Sequence, residues 1–198
     1  NTASVTVHAT TTQILLAPGS YSYKAEFCST SPAYNGSVDT DTLTVAREDA
    51  QATYVGPAYV STPNATATTA IVPLQATIVD INDLSAPGGL GLRGNVDNDD
   101  VTNLLTNARV TFTVYDAATN TFVAAFSNVA VNLLNPADPT VGTALFSWTA
   151  NIGSADAVTY RVHTVVTNYY TRDTVLDDVL VTVAKPLDKS ITGGGYIV

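Results

Sequence analysis

From residue 158 the chain alternates. Val158, Tyr160, Val162, Thr164 and Val166 fall on one side of an extended backbone, and Thr159, Arg161, His163, Val165 and Thr167 fall on the other. A period of two built from β-branched residues is a half-buried strand. A polar stretch with Tyr169, Tyr170, Asp177 and Asp178 follows, then a second alternating run, Val181-Thr-Val-Ala-Lys. Residues 21–47 repeat this plan: Tyr-Ser-Tyr-Lys-Ala-Glu-Phe, then Tyr34, Asp39 and Asp41, then Leu43-Thr-Val-Ala-Arg. Two copies of one strand–loop–strand unit predict a repeated module.

The same pattern orders the rest of the chain. Strands are expected at residues 3–9, 12–17 and 21–27, with 41–46 closing the segment. A whole sandwich module has about seven strands in about 100 residues, so residues 1–50 read as the C-terminal half of one module. Residues 48–52, short and polar, read as the joint. Residues 51–186 then form a complete module. Residues 54–60, interrupted by Gly56-Pro57, predict a broken edge strand. Residues 69–80 put Val72, Leu74, Ala76 and Ile78 on one face, and a long loop rich in Gly, Asn and Asp spans 81–105. Ala108, Val110, Phe112 and Val114 line the next inner face; 116–120 turn the chain, and 122–126 return as a hairpin partner. Val129, Val131 and Leu133 predict a further strand, and after the loop 136–139 come Ala144, Phe146 and Trp148 on one face. No stretch has helical periodicity. The tail, 187–198, carries three consecutive glycines before Tyr196-Ile-Val and reads as a linker or a donor strand.

Near the start of a penultimate strand, a tyrosine can bury its ring and bond its hydroxyl to nearby backbone, the tyrosine corner of immunoglobulin-like sandwiches. Tyr21 and Tyr160 occupy the same place in the two copies. The expected fold is therefore all-β: an antiparallel Ig-like β-sandwich preceded by a partial Ig-like module. Phe112, Phe146, Trp148 and Tyr160 are the expected aromatic core.

Composition narrows the function classes. The 198 residues are 45% hydrophobic and only 13% charged, and no apolar run approaches the ~20 residues of a membrane helix, which argues against membrane insertion. A net charge of −9 argues against nucleic acid, whose phosphates need lysine and arginine. Methionine is absent, even at position 1, so a processed piece of a longer precursor is expected. Cys28 is alone and cannot form an internal disulfide; at a strand end it reads as a small buried hydrophobe. Scarce lysine, an acidic surface and abundant threonine suit an extracellular or cell-surface protein.

The run Pro18-Gly-Ser-Tyr-x-Tyr-x-Ala-x-Phe, then Tyr34 and Asp41-Thr-Leu-Thr-Val-Ala-Arg-Glu-Asp-Ala, resembles the C-terminal half of bacterial Ig-like repeats. Leu134-Asn-Pro-Ala-Asp-Pro-Thr-Val-Gly-Thr-Ala, with Tyr169-Tyr170-Thr-Arg, is similar to a longer member of that group. Such repeats occur in tandem in large secreted and surface proteins, as stalks, spacers, adhesive modules or fibre subunits. The family's early strands are missing from residues 1–50. The resemblance covers most of the chain, but its motifs belong to a fold and not to an activity.

Candidate chemistry is sparse. His8 and His163 sit in alternating runs, His163 on the solvent face beside Arg161, and no serine occupies a Gly-x-Ser-x-Gly elbow, so no enzyme is expected. Asp80, Asp83, Asp97, Asp99 and Asp100 cluster in and before the long loop, and calcium, which takes six to eight oxygens, is the cofactor such acids suggest. Solvated acidic turns are the competing reading. Asn35-Gly-Ser37 and Asn64-Ala-Thr66 mark surface loops. Lys24, Lys185 and Lys189 point outward or lie in the tail, against an intramolecular lysine–asparagine crosslink.

Two functions follow. The first is structural: a module of an extracellular filament, stalk or surface layer. Its partners are adjoining Ig-like modules or further copies of the chain, joined head to tail when Ser190, Ile191, Tyr196, Ile197 and Val198 are donated as a strand. The second is an adhesin module, in which Tyr59, Tyr115, Tyr169 and Tyr170 would offer stacking surfaces for carbohydrate or protein.

Overall fold

In the computed structural model, residues 16–28, 33, 35–81 and 104–186 are described. The predicted strands at 3–9 and 12–17 fall largely outside them, as does the tail from 187, including Ser190, Ile191, Tyr196, Ile197 and Val198. The chain divides into two compact units, Asn1–Ala46 and Arg47–Val198. Among the described residues there is no α-helix, only two 3-10 turns, Leu104–Asn107 and Val175–Asp177.

In the first unit, β1 (Gly19–Phe27) and β2 (Ser37–Val45) form an antiparallel pair in unbroken register, with Tyr21 opposite Leu43. Opposed residues share a face in such a pair. Tyr21, Tyr23, Ala25, Phe27, Leu43 and Val45 therefore share one face with Ser37, Asp39 and Asp41, and serines, threonines, Lys24 and Glu26 dominate the other.

The second unit is a sandwich whose layers follow from the alternation. One sheet holds β3 (Glu48–Tyr54), β5 (Thr69–Asp80), β8 (Asp138–Asn151) and the end of β7 (Phe122–Asn135). The other holds the start of β7, β6 (Ala108–Asp116), β9 (Ala157–Asn168), β11 (Val179–Ala184) and β4 (Tyr59–Ser61). The short β10 (Tyr170–Asp173) pairs with both β3 and β9 and links the layers. Residues 122–135 are one strand where two were expected. β7 pairs with β6 through Ala130 and with β8 from Val131, so it passes from one sheet to the other without a loop. The sheet is mixed and not purely antiparallel, because β10–β3 and β11–β4 pair in parallel.

The expected joint at 48–52 is strand. Ala50 and Ala52 are buried, and β3 pairs with β5, which moves the boundary to 46/47. Residues 55–58 interrupt the predicted 54–60 strand, but they separate β3, flanked by β10 and β5, from β4, which pairs with β11 at the edge of the other layer. Gly56 is required there: a Cβ would stand 2.6 Å from the Pro73 carbonyl oxygen and 2.5 Å from the Tyr54 hydroxyl. Burial of that phenol, which has no hydrogen-bond partner, pushes its pKa up to about 12.

The core lies between the layers. Val72, Leu74, Ala76 and Ile78 from β5 face Val110, Phe112 and Val114 from β6, with Val162, Val166, Val181 and Val183 behind. Trp148 is buried and meets Tyr160 edge-on, ring centroids 4.9 Å apart. Phe146 is only partly buried and stacks on Phe126 at 4.3 Å, at the margin of the core. The Tyr160 hydroxyl donates to the Asn151 carbonyl at 3.1 Å, so its ring is core and its hydroxyl ties β9 to the end of β8. In the first unit the Tyr21 hydroxyl donates to the Ala17 carbonyl at 2.6 Å. Both tyrosines thus bond to a backbone carbonyl upstream.

Candidate functional site

The hairpin β9–β10–β11 carries a charge network that its sequence does not announce. Alternation puts Arg161 and His163 on the outer face of β9, and the turn before β11 brings Asp178 over them. Asp178 Oδ1 lies 2.5 Å from His163 Nδ1, and its other oxygen accepts from Arg161 Nη1. His163 Nε2 lies 3.1 Å from Asp173 Oδ1. Both ring nitrogens of His163 thus lie within hydrogen-bond distance of a carboxylate. The solvent-face expectation for His163 is corrected: its side chain is 15% exposed, and that of Asp178 is 10% exposed. The second acid of the pair, Asp177, accepts a two-pronged bond from Arg172, Nε at 2.6 Å and Nη2 at 2.9 Å. This bond holds the Arg172 guanidinium above its usual range.

These contacts brace one short turn. Thr174 caps it, its Oγ1 accepting from the Leu176 amide at 3.2 Å. Arg161 also lies 4.3 Å over the Tyr115 ring and reaches Asn120 Oδ1 at 2.7 Å, which ties the turn to β6 and the loop beyond it. Val175 and Leu176 stand at the tip, 72% and 87% exposed. Among the described residues, the hydrogen-bond partners of His163 are carboxylates, so the arrangement positions a loop.

The other sequence-predicted residues scatter. Tyr170 is buried, and its hydroxyl donates to Asp80 at 3.2 Å, so it offers no stacking surface. Tyr169 packs against the core and Tyr115 lies under Arg161; Tyr59 alone of the four is open. Asp80 is itself buried at the end of β5, while Asp83, Asp97, Asp99 and Asp100 lie outside the described residues. Among the described residues no group of three or more His, Cys, Asp or Glu is placed to hold a metal. Cys28 is exposed and not a buried hydrophobe. Lys185 donates to the Ser154 carbonyl at 3.1 Å.

The hairpin of the first unit is the second candidate. Its register matches that of β9–β11: Tyr21 faces Leu43 as Tyr160 faces Val181, each partner opening a Thr-Val-Ala-basic run. Its apolar face, however, is open, with Tyr23, Phe27 and Leu43 about half exposed. Among the described residues no further strand pairs with either edge of this hairpin. In comparison with known proteins, the chain matches no protein-family model and no curated protein. Among the described residues no helix is long and apolar enough to cross a membrane.

Proposed function

We propose that this chain is a structural module of an extracellular assembly, a filament, stalk or surface layer, in which neighbouring chains complete the partial Ig-like module. One observation carries the reading. Two hairpins share sequence plan, register and tyrosine bond, yet only one has its apolar face covered. A two-stranded hairpin is marginal in water without a facing layer. Its free edges are templates for strand addition. Residues 190–198 place a glycine triplet, 193–195, before Tyr-Ile-Val, a sequence suited to such a donor. Head-to-tail donation is heterologous, so it generates a filament wherever its rotation does not close into a ring.

Light scattering and electron microscopy of the full chain and of a chain lacking 187–198 test this. The full chain is expected to assemble and the shortened chain to remain monomeric. A full chain that stays monomeric at high concentration overturns assembly; a shortened chain that still forms filaments overturns donation by the tail.

A further inference from the structure

A polar groove of about 630 Å³ opens on the outer face of the β6–β7–β9 sheet, lined by Arg47, Arg109, Thr111, Ser127, Asn128, Thr167 and Asn168, all of the second unit. We infer that it binds an acidic saccharide: a guanidinium pair for a carboxylate or sulfate, ringed by hydroxyl and amide groups for sugar hydroxyls. This goes beyond the assembly reading and is independent of it.

Three observations converge on the groove. The first is charge. Among the described residues, Arg161 and Arg172 are committed to aspartates, whereas Arg47 and Arg109 are in no ion pair. In a chain of net charge −9, two unneutralised arginines facing one cavity mark where an anion is favoured. Arg109 is held in place: its Nη1 donates to the Thr106 and Ala108 carbonyls at 2.9 and 2.7 Å, which leaves the other guanidinium donors for a ligand.

The second is backbone shape. Ser127 and Asn128 together oppose the single residue Thr111, a bulge that bends β7 away from β6 and makes room. Asn128 has φ 60° and Asn168 has φ 78°, so two of the three described non-glycine residues in the left-handed region flank this one cavity. Such backbone clusters at binding sites, where surrounding bonds hold it. Asn168 is fixed through Nδ2 to the Asn107 carbonyl at 2.6 Å, and Thr167 through its hydroxyl to the Arg109 carbonyl at 3.3 Å.

The third is lining chemistry. No aliphatic or aromatic residue lines the groove, which disfavours a peptide anchored by apolar side chains. The volume is within the range of small-ligand pockets, about 300–1,000 Å³. Hydroxyls and amides at several points, with two forked cations among the lining residues, match a polyhydroxylated anion.

Amide chemical shifts of the full chain, titrated with digalacturonic acid, galactose 6-sulfate, neutral galactobiose and inorganic sulfate, test the inference. At least one acidic sugar is expected to bind saturably at millimolar concentration, moving residues 109, 111, 128, 167 and 168. Which of the two binds identifies the anion as carboxylate or sulfate. Arg47→Gln, at an exposed position, is expected to weaken binding about tenfold with an unchanged melting temperature, as befits a lost charge-assisted bond. Arg109→Gln is read only with its melting temperature, because Arg109 also holds two carbonyls. Neutral galactobiose or inorganic sulfate binding as tightly as the acidic sugars overturns the inference. So does binding unchanged by Arg47→Gln, or no saturable binding of any probe.

Discussion

The hairpin of the first unit and the β9–β11 hairpin of the second are the same device in two surroundings. Each begins with a tyrosine whose hydroxyl bonds an upstream carbonyl, and each puts that tyrosine opposite a branched residue. In the second unit Val162, Val166, Val181 and Val183 are fully buried against a facing sheet. The matching surface of the first unit is half open, and its paired acids do little: Asp41 accepts from the exposed Tyr23 at 3.2 Å. In the second unit Asp177 and Asp178 each hold an arginine. Local sequence thus makes the hairpin, and a covering layer makes it a core.

The largest effect expected from breaking this comparison is at the two register partners. Val181→Asp buries a charge without a counter-ion and is expected to cost more than about 4 kcal/mol, preventing stable folding of the second unit. Leu43→Asp, at the equivalent place, should change the monomer's stability by less than about 0.5 kcal/mol. Urea unfolding of both variants checks this, and a large loss from Leu43→Asp would show that the first hairpin is covered in solution.

Next comes the ring on which β9 rests. Trp148→Ala is expected to cost about 3–5 kcal/mol by leaving a cavity against Tyr160 and Phe126. Hydrogen exchange should show that loss across the second unit and leave residues 19–45 unchanged.

A smaller change separates the paired acids. Asp178→Ala takes a carboxylate partner from both Arg161 and His163 and is expected to cost about 1.5–3 kcal/mol, the range for bonds to charged groups. Asp41→Ala should lie within about 0.5 kcal/mol of the parent. Thermal melts of the two variants make the comparison, and equal shifts would remove the bracing role of Asp178.

The smallest effect is confined to alkaline solution. Tyr54 keeps its proton to about 12 in the folded second unit but loses it near about 10 when unfolded. The folded state then binds more protons in that window, so stability falls as pH rises from about 10 to 12. Tyr54→Phe should flatten the fall; an unchanged alkaline profile would count against burial of that phenol.

The sequence by itself determined the strands and their faces, because a period of two is written in neighbouring residues and survives whatever the strand packs against. β5 runs over the expected residues, its predicted apolar face is buried, and the repeat of 21–47 in 160–185 maps onto two hairpins of one register. Tertiary structure decided everything that depends on which strands meet. Nothing local to residues 122–135 says that β7 changes partner after Ala130, or that β4 and β10 pair in parallel. His163 reads as a solvated strand residue until a turn ten to fifteen residues later closes two carboxylates over it. Tyr170 reads as a loop aromatic until Asp80, 90 residues earlier, is brought to its hydroxyl. The groove between Arg47 and Arg109 was invisible for the same reason: its residues come from four separate stretches, and only the fold assembles them.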